Sequence, residues 1–177
     1  DSRDGDSFKI EQVVKYYDGS GIGSDIAQNA ILANLDFSKP VCLGIRGAPG
    51  GHAIVADGYG FNRSEPYVHL NLGWSGDDDA WYSLSLINTS VGTFTKTYKV
   101  IYNIFPKETG EIISGRVLNS SGTPQASVTV KVLNSSGTQI KSVTTNSKGI
   151  YAVLVPSSST YTVKAASGSL GGEKKDL

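Results

Sequence analysis

Two short runs bring versatile side chains close together. They are Gly50-Gly51-His52-Ala53-Ile54-Val55-Ala56-Asp57-Gly58-Tyr59 and Val68-His69-Leu70-Asn71-Leu72-Gly73-Trp74-Ser75-Gly76. Imidazole is the side chain whose ordinary proton affinity suits transfer near neutral pH. If the runs pair as an antiparallel hairpin with His52 opposite Asn71, the turn centres between Phe61 and Asn62, inside the turn-rich stretch 60–66. Opposed Cβ atoms would then lie ~5 Å apart. The Asn71 amide would accept from one ring nitrogen of His52 and fix its tautomer, leaving the other nitrogen to take a proton from a thiol. Gly50 and Gly51 would let a substrate backbone or another helix approach closely. The Trp74 indole would shield the His–Asn bond from water. A lone strand histidine is more often a satisfied structural residue, so spacing alone leaves both readings open.

These residues need a scaffold, and the pattern around them supplies one. Segment 26–35 is rich in Ala and Leu, follows the candidate N-cap Ser24-Asp25 and precedes Pro40, which predicts a largely buried helix. Segment 8–17 suits either a strand or a short helix. Beyond Pro40 the period changes to two, and 41–45, 53–59, 67–72, 81–86 and 99–105 read as strands separated by Gly, Asn, Asp and Ser. One helix followed by a meander of strands predicts an α+β fold, mainly antiparallel β. At Pro106-Lys107-Glu108-Thr109-Gly110 aromatics thin out and Ser, Thr and Val take over, which places a domain boundary there and divides the chain into 1–106 and 107–177.

The 177 residues carry 16 basic and 16 acidic side chains, a neutral balance with no electrostatic footprint for nucleic acid. No apolar run approaches the ~20 residues of a membrane-spanning helix. The chain has no Met and begins on Asp1, as expected of a processed product or fragment, and its one Cys allows no internal disulfide. The abundant Gly, Ser, Thr and Asn suit an exposed, secreted or cell-surface protein. No cofactor or metal is expected. His52 and His69 lack a third ligand at a usual spacing, His69 reads as structural, and Asp77-Asp78-Asp79 reads as a solvated turn before a Ca²⁺ site.

The Gly-Gly-His-Ala-x-Val-x-Asp-Gly-Tyr and His-x-Asn-x-Gly-Trp-x-Gly runs, with the helix and Lys39-Pro40-Val41 before them, resemble the streptopain family of bacterial cysteine peptidases over about residues 8–105. The resemblance implies a papain-like, β-rich lobe that acts on protein or peptide substrates. It makes His52 the base and acid of a Cys–His pair, Asn71 the residue that orients it and Trp74 part of the site rim. Members often carry Trp directly after the Asn; Leu72 stands there, which weakens the inferred water shield. The family's nucleophile lies on a helix well before the His, so the resemblance implies a partner half bearing the Cys upstream or on another chain. Cys42, flanked by Val and Leu in a strand, reads as a small buried hydrophobe.

In the second domain, Val117-Leu118-Asn119-Ser120-Ser121-Gly122-Thr123 recurs as Val132-Leu133-Asn134-Ser135-Ser136-Gly137-Thr138. Segments 128–132 and 161–165 alternate like half-buried strands. The order of these runs resembles transthyretin-like, carboxypeptidase-regulatory-like modules, which implies a small all-β sandwich, Ig-like in outline. A further strand is expected where the chain stops, so the sandwich reads as truncated, with an open sheet edge. Two functions follow as expectations. One is a fragment of a secreted cysteine endopeptidase, inactive alone. The other is a non-catalytic surface binding or adhesion protein built on a degenerate peptidase lobe.

Overall fold

The computed structural model describes residues 15–18, 25–63, 65–104, 110–157, 159–167 and 170–174. The chain divides into two compact units, Asp1–Glu108 and Thr109–Leu177. The expected helix forms as α1 (Asp25–Asp36). It buries Ala27, Ile31 and Asn34, spaced to share one face. It ends in a Schellman motif: the Lys39 N–H donates to the Asn34 carbonyl at 2.8 Å and the Ser38 N–H to the Leu35 carbonyl at 3.0 Å. Ser38 supplies the left-handed residue, at φ 58°. Ser24 and residues 8–14 lie outside the described residues, and the remainder of 8–17 enters strand β1 (Lys15–Asp18).

The first unit builds one antiparallel sheet from β1, β2 (Val41–Gly47), β3 (Gly50–Asn62), β4 (Glu65–Asn71), β5 (Ala80–Tyr82), β6 (Ile87–Thr89) and β7 (Gly92–Tyr102). Its order is β1-β7-β2-β3-β4-β5, with β6 paired to β7. One face packs on α1: Val41, Leu43 and Ile45 of β2, Ile54 and Ala56 of β3, and Val68 and Leu70 of β4 join Ile31 in the core. The strand expected over 81–86 is interrupted. Leu86 donates to the Ser83 carbonyl at 3.0 Å and the Ser83 and Ser85 hydroxyls meet at 2.9 Å, a tight turn between β5 and β6. The strand expected at 99–105 begins earlier, at Gly92. Its buried residues Phe94, Thr97 and Val100 recur every third position because bulges interrupt its pairing with β2 twice. That spacing hid the strand from a search for period two.

The second unit contains β8 (Glu111–Arg116), β9 (Thr129–Leu133), β10 (Gln139–Thr144), β11 (Ile150–Val155), β12 (Thr162–Ser167) and β13 (Leu170–Lys174). They form a four-stranded sheet, β10-β9-β12-β13, and a β11-β8 pair. Val130, Val132, Tyr151, Val153, Val155, Tyr161 and Val163 make its core. The predicted fold class therefore holds in both parts: a β-rich α+β lobe and a small all-β sandwich. β13 pairs antiparallel with β12. The repeated turn occurs three times. Asn119, Asn134 and Asn146 each accept, through Oδ1, from the backbone N–H groups two and four residues on, at 2.9–3.1 Å.

At the end of β2, a Cβ on Gly47 would stand 2.1 Å from the Thr93 carbonyl oxygen and 2.5 Å from the Phe94 Cα. Both are backbone atoms and have nowhere to move. Gly47→Ala is expected to destabilise the first unit by about 2–3 kcal/mol. Urea unfolding followed by tryptophan fluorescence would measure this, since both tryptophans, Trp74 and Trp81, lie in that unit.

Candidate active site

His52 lies near the start of β3, opposite Ile45 of β2. Directly opposed residues share a face, so His52 lies on the core face with Ile45, at the end of the row that runs through Ile54 and Ala56. The β3–β4 pairing departs from the expected register. Asn71 pairs with Val55, not His52, and the strands close as Asn62 against Glu65, so the turn falls beyond Asn62. Core packing decides this. With His52 opposite Asn71, Ile54 of the core face would oppose His69, and Leu70 and Leu72 would turn away from the core. Both are fully buried, and a one-residue slip moves a whole row to the other face.

Carried past Asn71, the observed register sets Trp74 across from His52. The two rings stack with centroids 4.9 Å apart and planes inclined by 22°. Phe94 of β7 flanks the imidazole at 6.3 Å. The imidazole Nε2 lies 2.7 Å from the Leu72 carbonyl oxygen. A carbonyl can only accept, so Nε2 carries the hydrogen and Nδ1 of the neutral ring is left with its lone pair. The interaction expected of the Asn71 side chain is thus made by the backbone of the next residue. Asn71 Oδ1 instead accepts from the Gly73 N–H at 2.9 Å and turns the chain after β4.

Leu72 is held through its other backbone group as well. Its N–H donates to Asp79 Oδ1 at 2.7 Å, while the Leu72 side chain is fully buried. The replacement of the family's Trp by Leu therefore falls on a core position, and the residue's contribution to the site is its carbonyl. Asp77, Asp78 and Asp79 form an engaged turn. The Asp77 N–H donates to the Trp74 carbonyl at 3.1 Å, and Asp78 Oδ2 accepts from the Ser90 N–H at 2.9 Å and the Ser90 hydroxyl at 2.6 Å. Among the described residues no group of three or more His, Cys, Asp or Glu is arranged to hold a metal ion.

The chain thus brings His52 and Trp74 together and sets Asn71 one turn of chain away from the ring. Sequence reasoning missed two participants. The Leu72 carbonyl has no residue-type signature, because every residue has one. Asp79 was visible only as part of an acidic triplet. Cys42 pairs with Val55 of β3 and Ile101 of β7. It alternates with the buried row Val41-Leu43-Ile45, so its side chain lies on the face of the sheet opposite His52.

Residues 5–82 match the model of the Peptidase C10 family, the streptopain family, and residues 112–176 match the carboxypeptidase regulatory-like domain. No curated protein matches the chain. Both resemblances drawn from the motifs are therefore borne out, part by part. The first match spans His52, Asn71 and Trp74 and supports a cysteine-type peptidase, a hydrolase of protein substrates. Among the described residues no helix is long and apolar enough to cross a membrane.

The Asp78 carboxyl is held below its ordinary value, chiefly by the Ser90 hydroxyl and then by the Ser90 N–H. A depressed carboxyl favours the folded turn above its unfolded value, and that contribution is lost as pH falls through the folded value. Ser90→Ala is expected to raise the Asp78 titration point toward that of a free carboxylate and to shift melting of this turn to higher pH. A carboxyl-carbon NMR titration of both proteins would measure the change.

Proposed function

We propose that the first unit supplies the proton-transfer half of a secreted cysteine endopeptidase whose nucleophilic thiol lies outside this chain, upstream in the parent protein or on another polypeptide. The observation that carries this reading is the Nε2–H bond to the Leu72 carbonyl, which leaves Nδ1 as the basic atom. In the proposed cycle Nδ1 takes the thiol proton, and the thiolate attacks the scissile carbonyl. The imidazolium returns the proton to the departing amine as the thioester forms. Water, deprotonated by the same nitrogen, then hydrolyses the thioester and restores the thiol. The imidazolium made in each half-cycle keeps its Nε2–H bond, so the ring holds its position while its charge changes. Trp74 covers one face of the ring and limits water access to that bond. Asn71 acts at one remove, by shaping the turn that presents Leu72 and Trp74.

Cys42 lies on the face of the sheet opposite His52, which argues against it as the nucleophile, and this one observation also favours the rival reading of a degenerate lobe in a surface binding or adhesion protein. The two part on reconstitution. Mixed with a separately produced Cys-bearing half of the parent, the chain is expected to hydrolyse casein. His52→Ala should lower that rate by about 10²–10⁴-fold, the usual worth of a general acid–base group. Trp74→Ala should lower it by about tenfold to a hundredfold, the scale of a misplaced catalytic group. The chain alone should be inactive, and an epoxide-type thiol reagent should label the added half. Turnover by the chain alone that disappears in Cys42→Ala, or labelling confined to Cys42, would overturn the proposal.

A further inference from the structure

β3 and β4 obey two demands that a regular ladder cannot meet together. At the tip, Asn62 pairs with Glu65 and the register runs through Gly60↔Tyr67 to Gly58↔His69. Toward the site it runs through Ala56↔Leu70 and Val55↔Asn71, one residue out of step. If the tip register continued, Ala56 would oppose Asn71, and Leu70 and Leu72 would leave the core. The extra residue that absorbs the difference is Asp57. In such a bulge two residues of one strand share a single partner, so Asp57 and Gly58 both face His69.

That partner binds the bulged residue directly. His69 Nδ1 lies 2.6 Å from Asp57 Oδ1. The pair is partly exposed, 32% for the His69 side chain and 47% for Asp57. The His69 ring is also set from behind. Trp81, opposite His69 on β5, meets it edge to face at 5.3 Å. A Cβ on Gly58 would come within 3.5 Å of both His69 and Trp81. A bare Gly58 therefore leaves room for the indole, and Asp57 alone brings a functional group to the ring.

We propose that Asp57 and His69 are a positioning pair for His52. Their hydrogen bond clamps the bulge, and the bulge selects the register that delivers the Leu72 carbonyl to His52 Nε2 and Trp74 to its ring face. Neither residue touches a reacting atom. The proposal rests on the reading of His52 as the proton-transfer residue, and it extends that site to the far half of the hairpin, five residues along β3 from the imidazole.

The test reads the tautomer of His52 by long-range ¹H–¹⁵N NMR on the 177-residue chain, which requires no turnover. In the parent chain the ring should be the Nε2–H form, with a slowly exchanging Nε2 hydrogen. Asp57→Ala and His69→Ala should each give mixed tautomers and speed that exchange by roughly tenfold, the scale commanded by a hydrogen bond to a charged group. Asp57→Asn keeps an acceptor oxygen and should recover most of the parental signal. Amide resonances of the second unit should not move. Two alanine variants with near-exposed sites allow the readout even if one fails to fold. An unchanged His52 tautomer and exchange rate in either folded alanine variant would overturn the proposal, as would Asp57→Asn matching Asp57→Ala. A peptidase assay that fails after reconstitution while these signals behave as expected would sink the catalytic reading and leave the positioning pair standing.

Discussion

Burial of one row of side chains on β4 governs the geometry of everything around His52. Val68 and Leu70 alternate along the strand, Leu72 continues the row one residue past its end, and all three are almost wholly removed from water. At about 1.5–3 kcal/mol for each side chain taken from exposed to buried, turning Leu70 and Leu72 outward would cost several kcal/mol, a large part of a small unit's net stability. That sum outweighs any preference of the turn beyond Asn62 for an unbroken ladder. The hairpin therefore keeps both its close at Asn62–Glu65 and its buried leucines, and inserts Asp57 as the difference. The geometry around His52 thus follows from core packing together with the bulge at Asp57, where Asp57 and His69 meet. Once Leu72 is buried, its carbonyl projects along the end of the sheet, within reach of the ring on β3.

A backbone acceptor gives the imidazole a different kind of support from a side-chain amide. An amide must be held by its own rotamer and can flip, exchanging acceptor for donor. The Leu72 carbonyl has no such freedom: the N–H of its own peptide group, that of Gly73, donates to Asn71 Oδ1, and Leu72 itself is held by its buried side chain and by the Asp79 carboxylate on its N–H. The site therefore depends on the path of residues 71–79 more than on the identity of Leu72. That path is built by local polar contacts. Asn71 holds Gly73, Trp74 holds Asp77, Gly76 holds Asp79, and Ser90 ties down Asp78 from a neighbouring strand connection. Four residues of this stretch, Gly73, Ser75, Gly76 and Asp78, adopt positive φ. Two of them are glycine, where that conformation is cheap. Two of the three acidic residues have a structural reason of the same kind: the Asp78 and Asp79 carboxylates accept from the Ser90 and Leu72 N–H groups.

The sequence disclosed the fold where local pattern and tertiary context agree. α1 announced itself through Ala and Leu content and a closing proline, and β2, β3 and β4 through alternation. Strand β7 was cut short because its bulges convert period two into period three, a change that only pairing with β2 explains. His52 and Trp74 were legible as residue types, and the structure stacks them. The contact expected of the Asn71 amide is made by the carbonyl of the next residue, Leu72, for an instructive reason. The hairpin was read as a regular ladder with its turn at the most turn-like residues, whereas the true register follows from the burial of Leu72, a property of the sheet rather than of the motif. Backbone acceptors and bulges leave no mark in residue type, so the Leu72 carbonyl and the special place of Asp57 were out of reach.

The second unit shows the same physics with a different outcome. Its three loops at Asn119, Asn134 and Asn146 repeat one solution. In each, the Asn Oδ1 takes two backbone donors, and a glycine three residues on supplies a positive φ of 73–79°. Only the first two loops were visible as a repeat, because the third keeps Asn and Gly and changes what lies between and beside them. The side chains that the turn requires are the ones that persist. The core is carried by Val130 and Val132 of β9, Tyr151, Val153 and Val155 of β11, Val163 of β12 and Tyr161 just before it. This sheet too departs from a regular ladder once, where the β10–β9 register shifts between Gln139 and Lys141. In the first unit the reconciliation is forced on β3, and the residue that absorbs it, Asp57, meets the histidine on the strand beside it. On the proposed reading it is the place of this bulge, with Asp57 against His69 on the hairpin that carries His52, and not the presence of a bulge, that ties the sheet to the site.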